Sequence, residues 1–203
     1  MEFFQQDIVL ENDYVKVVPF DSSYEDGLRK VMYDEEIARF TGYHIRNEMD
    51  LQQYIASACS GREEKAFYPF IVIDKASGEV AGSTRYGNIY FHNKRLEIGW
   101  TWYGKAFRGT GLNKAVKLAL LQYAFEEMKF NRVQFSVDID NIRSQKAVLK
   151  LGAKQEGIFR CNYLNADGEC RDDIYYSIIH TEWPKLKSEV FSVLDVVPSP
   201  RAL

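Results

Sequence analysis

The largely apolar run Tyr14-Val15-Lys16-Val17-Val18-Pro19 predicts a short strand ended by Pro19. Ser22-Ser23-Tyr24-Glu25 has capping-box spacing and predicts a helix to about Tyr33. A second helix is predicted over residues 48–61, with Ile55 and Ala58 facing inward. Strands then dominate. Residues 67–74 are apolar and β-branched, Lys75-Ala76-Ser77-Gly78 reads as a turn, and residues 80–89 return as a hairpin partner. Residues 96–103 make a third strand of that set. Residues 112–128 are apolar almost all round, which predicts a helix buried against a sheet. Residues 132–137 form the next strand, and strand, helix, strand here predicts near-parallel neighbours. Asn141 caps a short helix that ends near Leu151, before Gly152. The last hairpin has arms over residues 154–162 and 170–179 around Asn165-Ala166-Asp167-Gly168. Residues 181–194 read as a terminal helix with Pro184 in its first turn, followed by a loose tail from about 195 to 203. The pattern describes one α/β domain with a mixed sheet, without internal repeat or linker.

The 203 residues suit one domain, and 46% hydrophobic content supplies a core. A net charge of -3 gives no basic excess for nucleic acid. No apolar run approaches the roughly 18 residues of a membrane span, and the start of the chain lacks the pattern of a signal peptide. Cys59, Cys161 and Cys170 are widely spaced and give neither a disulfide framework nor a C-x-x-C pair. Cys161 and Cys170 read as packing residues, and a reduced, cytoplasmic setting fits this usage. His44, His92 and His180 are scattered without metal-ligand spacing, so no metal site is expected.

The sequence Phe107-Arg108-Gly109-Thr110-Gly111-Leu112-Asn113-Lys114 joins a strand to the long apolar helix. Two glycines let backbone N–H groups converge, the helix start adds unpaired donors, and Arg108 adds a cation. A diphosphate suits that arrangement. On the preceding strand, alternation puts Leu96, Ile98, Trp100 and Trp102 on one face, with Glu97, Gly99, Thr101 and Tyr103 on the other. Glu97 is either half of a structural ion pair or a partly buried base with a raised pKa. Ser144, Ala147, Val148 and Leu151 share one helix face, so Ser144 points inward, to meet a ligand or to bond the nearby backbone. Asn141 is an N-cap or a ligand group. No G-x-S-x-G elbow supports a hydrolase, and a dinucleotide fold lacks its third glycine and ribose-binding acid.

These residues resemble the GCN5-related N-acetyltransferases, whose pyrophosphate signature Gln/Arg-x-x-Gly-x-Gly/Ala is matched by Arg108 to Asn113, with Asn113 replacing the final small residue. The resemblance covers residues 10–187. Within the family the chain is most similar to the ribosomal-protein N-terminal acetyltransferases, through Gly82-Ser83-Thr84-Arg85, Glu97-Ile98-Gly99-Trp100, Asn141-Ile142-Arg143-Ser144, Leu151-Gly152-Ala153, Glu156-Gly157 and Arg171-Asp172. It implies a mixed, mostly antiparallel sheet splayed around the glycine turn and its helix, with helices on both faces. It implies acetyl-CoA as donor and an amine as acceptor, either a protein N-terminus or a small amine. By the same resemblance Thr101, Trp102 and Tyr103 run along the pantetheine arm. Arg108, Gly109, Thr110, Gly111, Leu112 and Asn113 hold the pyrophosphate, and Asn141 completes the donor site. Glu97 falls at the position of the family's base. The tyrosine common seven residues after the motif asparagine is Val148 here, and the serine of the ribosomal branch is Ser144, which becomes the candidate acid. A CoA-binding module without catalysis is the alternative from another class, and edge strands leave homodimer pairing open.

Overall fold

The computed structural model describes residues 2–41, 44–165 and 167–195; the tail expected after residue 195 and the hairpin residue Ala166 lie outside them. One sheet contains β1 (Leu10–Glu11), β2 (Val15–Pro19), β3 (Tyr68–Asp74), β4 (Val80–Tyr90), β5 (Arg95–Tyr103), β6 (Arg132–Asp138), β7 (Lys154–Leu164) and β8 (Cys170–Ile179). The order across the sheet is β1-β2-β3-β4-β5-β6-β8-β7. Only β5 and β6 are parallel, as the crossover through the apolar helix requires. The helices are α1 (Glu25–Met32), α2 (Glu35–Thr41), α3 (Glu48–Glu63), α4 (Leu112–Gln122), α5 (Ile142–Lys150) and α6 (Trp183–Val190).

Alternation along β3 divides the core. Tyr68, Phe70 and Val72 pack in one cluster with Leu120 of α4, Val148 of α5 and Trp183 of α6. Ile71 packs in another with Leu28 of α1, Ile37 of α2 and Leu51 of α3. Helices therefore cover both faces of a mixed, mostly antiparallel sheet.

Several local expectations change. Asp21, not Ser22, caps the first helical segment: its carboxylate accepts from Ser23 N at 2.8 Å. Glu35 and Glu36 open α2, and Asp34 and Glu36 pair with Arg108 across the fold. Cys161 and Cys170 are not packing residues. They sit on neighbouring strands of the last hairpin, 5.1 Å apart at Cα, joined as a disulfide. Their nine-residue separation hid a cross-strand link made where the hairpin register shifts, between Phe159 and Tyr163. The cysteines thus no longer support a reducing compartment.

The most consequential departure is a β-bulge. Ser83 pairs with Trp102 and Arg85 with Gly99, so two steps on β4 match three on β5. Trp100 takes the extra place, with φ 50°. Strict alternation fails at this point. Leu96 and Ile98 belong to the α4-side cluster, whereas Trp102 belongs to the α1–α3 side. Thr101 and Tyr103 turn instead toward α4, where they meet Lys117 and Asn113.

The bulge depends on close backbone approach at Gly82. A Cβ there would lie 2.1 Å from the carbonyl oxygen of Trp102, and a backbone atom cannot swing away. Gly82→Ala is expected to lose about 2 kcal/mol or more of unfolding free energy, measured by urea denaturation.

Candidate active site

β5 and β6 share three residue pairs, Arg95↔Arg132, Leu96↔Val133 and Glu97↔Gln134, and then part. Both strands run on, to Tyr103 and Asp138. Their facing edges beyond Glu97 carry backbone donors and acceptors without a partner strand, so an extended ligand arm can bond there as an added strand. The glycine turn follows β5 at the far end of this cleft, and Asn141 and α5 follow β6. Arg171 braces that second wall by ion pairs to Asp138 and Asp140.

Glu97 stands where the strands part, with 4% of its surface exposed. Asn88 Nδ2 and Gln134 Nε2 both donate to its Oε2, each at 3.0 Å. Its Oε1 faces Gly99, where a Cβ would lie 3.2 Å away. Burial pushes the carboxyl pKa up; the two amides and Arg95 oppose that rise, and Asp173 adds to it. The partners that touch Glu97 are neutral amides rather than the cation of a structural ion pair. A cavity of about 580 Å³ opens beside it, lined in part by Asn88, Arg95, Gln134, Glu156, Phe159 and Tyr175. The last hairpin thus contributes Glu156, Phe159 and Tyr175 to that wall.

Gly109 and Gly111 have φ of 74° and 89°, conformations that side chains resist. Nothing lies within 4 Å of a Cβ built at either position. Gly111 begins α4 and has no side chain to cap it; Leu112 N donates to Thr110 Oγ1 at 3.4 Å and Lys114 N to Gly111 O at 3.0 Å. Thr110 Oγ1 also donates to the carbonyl of Phe107 at 2.9 Å, which tightens the turn. The Arg108 guanidinium is engaged elsewhere: it donates to Tyr103 O at 2.8 Å and pairs with Asp34 and Glu36. Glu36 also pairs with Arg143 of α5. An anion in the turn meets the backbone first.

The other expected residues divide in the same way between backbone and side chain. Trp102 commits its indole N–H to Tyr54 at 3.0 Å, Tyr103 gives its hydroxyl to Asn113 at 3.2 Å, and Leu112 is core. The side chains at these three positions are thus engaged within the fold. Asn141 caps α5 by accepting from Ser144 N at 3.1 Å. Ser144 is half-buried, and that cap uses its amide, which leaves the hydroxyl for another partner.

The sequence reading missed Asn88 and Gln134, whose roles arise from register. It also missed Lys117, 4% exposed within α4. Lys117 Nζ donates to Thr101 Oγ1 at 2.7 Å, and Thr101 is 2.8 Å from the Thr84 hydroxyl. Four-residue spacing from Asn113 along the helix was the available signal. Burial lowers the Lys117 pKa to about 7. The unfolded chain then binds more protons between pH 7 and the ordinary lysine value, so stability rises with pH through that window. Lys117→Met is expected to be more stable than the parent at pH 6, by on the order of 3 kcal/mol after the lost hydrogen bond. The gap should close toward pH 10. Urea denaturation at several pH values measures it.

Among the described residues, no helix is long and apolar enough to cross a membrane, and no His/Cys/Asp/Glu group is arranged to hold a metal ion. Residues 15–154 match the family described as acetyltransferase (GNAT) domain. YdaF of Bacillus subtilis, provisionally named a ribosomal N-acetyltransferase, is 34% identical over 106 residues, 52% of this chain and 57% of that protein. The uncharacterized N-acetyltransferase YnaD of Bacillus subtilis is 31% identical over 74% of this chain and 84% of its own length. The crystal structure of a GCN5-related N-acetyltransferase from Brucella melitensis superposes with a TM-score of 0.86 at 25% identity, covering 93% of this chain and 86% of that one. A split parallel pair, an uncapped helix after a glycine turn and a matched domain of 140 residues lead to one assignment: the chain belongs to the GNAT family of acetyltransferases.

Proposed function

We propose that the protein transfers an acetyl group from acetyl-CoA to a primary amine, most specifically the α-amino group of a protein N-terminus. The observation that carries the reading is the Glu97 carboxylate. One oxygen is fixed by two amides, and the other faces Gly99 beside the split between β5 and β6. The open turn at Gly109 and Gly111 fits a diphosphate, and the free edge of β5 from Thr101 to Tyr103 fits a pantetheine arm. The donor supplies a thioester when bound. The chain's own contribution is placement and proton transfer.

An amine attacks only when neutral. Glu97, buried and raised in pKa, accepts its proton directly or through one water. Backbone N–H groups beyond the bulge orient the acyl carbonyl and stabilise negative charge on its oxygen. Ser144, on the opposite wall, donates a hydrogen bond to the departing sulfur. The reaction is direct transfer with both substrates held together, so proximity supplies much of the rate. The ribosomal reading draws on the Asn141-to-Ser144 motif and on the name of YdaF, and the cavity beside Glu97 admits the first residue of an acceptor chain.

Calorimetric titration with acetyl-CoA tests the donor site. Micromolar binding is expected, abolished by Gly111→Val but weakened far less by Arg108→Ala, because the arginine head is already paired. Equal loss in both variants would put the side chain, rather than the turn, at the phosphates. With a synthetic peptide beginning with serine, Glu97→Gln is expected to lower kcat by about 100-fold while leaving acetyl-CoA affinity intact. Unchanged turnover would remove Glu97 from the mechanism. Saturation with free polyamine but not with peptide would move the acceptor to the small-amine class.

A further inference from the structure

We propose that Asn88 and Gln134 are positioning residues that clamp Glu97 by Oε2 and leave Oε1 as its one reactive oxygen. The inference rests on the acetyltransferase reading and specifies how its base is built. An unheld carboxylate rotates and presents either oxygen, in several directions. Here two N–H donors converge on one oxygen, 3.0 Å from each side, and the rotation is blocked. The absent side chain of Gly99 keeps the space before Oε1 clear.

The two donors are themselves oriented. Arg95 donates to Gln134 Oε1 at 3.3 Å. A guanidinium only donates, so the carbonyl end of Gln134 must face Arg95 and its NH₂ end must face Glu97. Arg95 is held in turn over the ring of Tyr90, 4.1 Å from its centre. Asn88 reaches Glu97 by another route. It takes φ 47° at the register shift between Gly87 and Tyr90, a conformation asparagine tolerates better than most residues. The clamp thus joins β4, β5 and β6 at the point where the last two separate.

The charged groups around this carboxylate are few among the described residues. Arg95 lies on its own strand and Asp173 on β8, with opposing effects. Arg132 of β6 and Glu156 of β7 share the cavity but neutralise each other in a two-bonded ion pair. Arg85 of β4 lies over the rings of Tyr54 and Phe67. Amide donors to the ionised form therefore counter much of the burial that raises the pKa. Removing either one favours the protonated carboxyl.

The test uses the full chain with ¹³C-labelled glutamate. The Glu97 titration is read by NMR without donor or acceptor, in the parent, Gln134→Leu and Asn88→Ala. Each substitution is expected to raise the Glu97 pKa by about one unit. The acid limb of kcat/KM for acetyl transfer to a serine-initiated peptide should move up by the same amount, with acetyl-CoA affinity unchanged. Activity should recover at pH values above the shifted limb, which a loss of packing alone would not produce. Asn88 is exposed, so Asn88→Ala keeps the test available if Gln134→Leu does not fold. A Glu97 pKa that stays put in a folded variant overturns the clamp; the base role then stands or falls separately, on Glu97→Gln. A pKa that moves while the rate limb does not overturns both, because Glu97 would titrate without accepting the proton.

Discussion

Two parallel strands that bond over three residue pairs and then diverge leave hydrogen-bonding edges that neither strand can satisfy alone. Backbone groups without partners are costly unless water or a ligand reaches them, so the split is sustained by what surrounds it. The α4-side cluster holds the strands from below through Leu96, Ile98, Val133 and Phe135. The hairpin of β7 and β8 continues the sheet beyond β6 and braces its end through Arg171. Nearly every element of the candidate site is placed by this divergence. Glu97 stands at its apex, the bulge bends one wall, and the glycine turn and α5 follow the two strand ends.

The charges near the split are set against local stability. Glu97 is buried between two amide donors, and Lys117 is buried with its Nζ donating to the Thr101 hydroxyl. Burial pushes the two groups toward their neutral forms, which raises one pKa and lowers the other. A protein optimised for stability alone would place apolar residues at such positions. In the proposed reaction, the raised proton affinity of Glu97 is what a base at that position needs. Lys117 ties α4 to the strand next to the cleft through Thr101, at a cost that its own titration reveals. The arginines near the glycine turn follow a different rule. Arg108 and Arg143 share Glu36, so α2, the turn and α5 are joined by one carboxylate.

Much of the fold is legible in the chain because its signals are local. The apolar helix after the glycine turn, the Asn141 cap and the hairpin arms need only periodicity and turn chemistry to be recognised. Glu97 stands out because a charged residue in a central strand is rare. Other features depend on distance. Asn88 and Gln134 are nine and 37 residues from Glu97 and meet it only through strand register. Cys161 and Cys170 look unrelated until the irregular stretch of β7 brings them within 5.1 Å at Cα. Asp34 and Glu36 meet Arg108, more than 70 residues away, only in the folded chain.

The bulge at Trp100 marks the boundary between the two kinds of information. The sequence by itself determined an α/β chain with a strand, a glycine turn and a buried helix in succession, because backbone preference and apolar spacing act over a few residues. It also determined that the turn could take its two left-handed conformations, since only glycine accepts them freely. Tertiary structure alone decided which way Thr101, Trp102 and Tyr103 face, because one extra residue against β4 inverts alternation and no single-strand pattern encodes its partner's length. It likewise decided which oxygen of Glu97 is free, because that depends on hydrogen bonds from two other strands, and their geometry exists only once the sheet has formed.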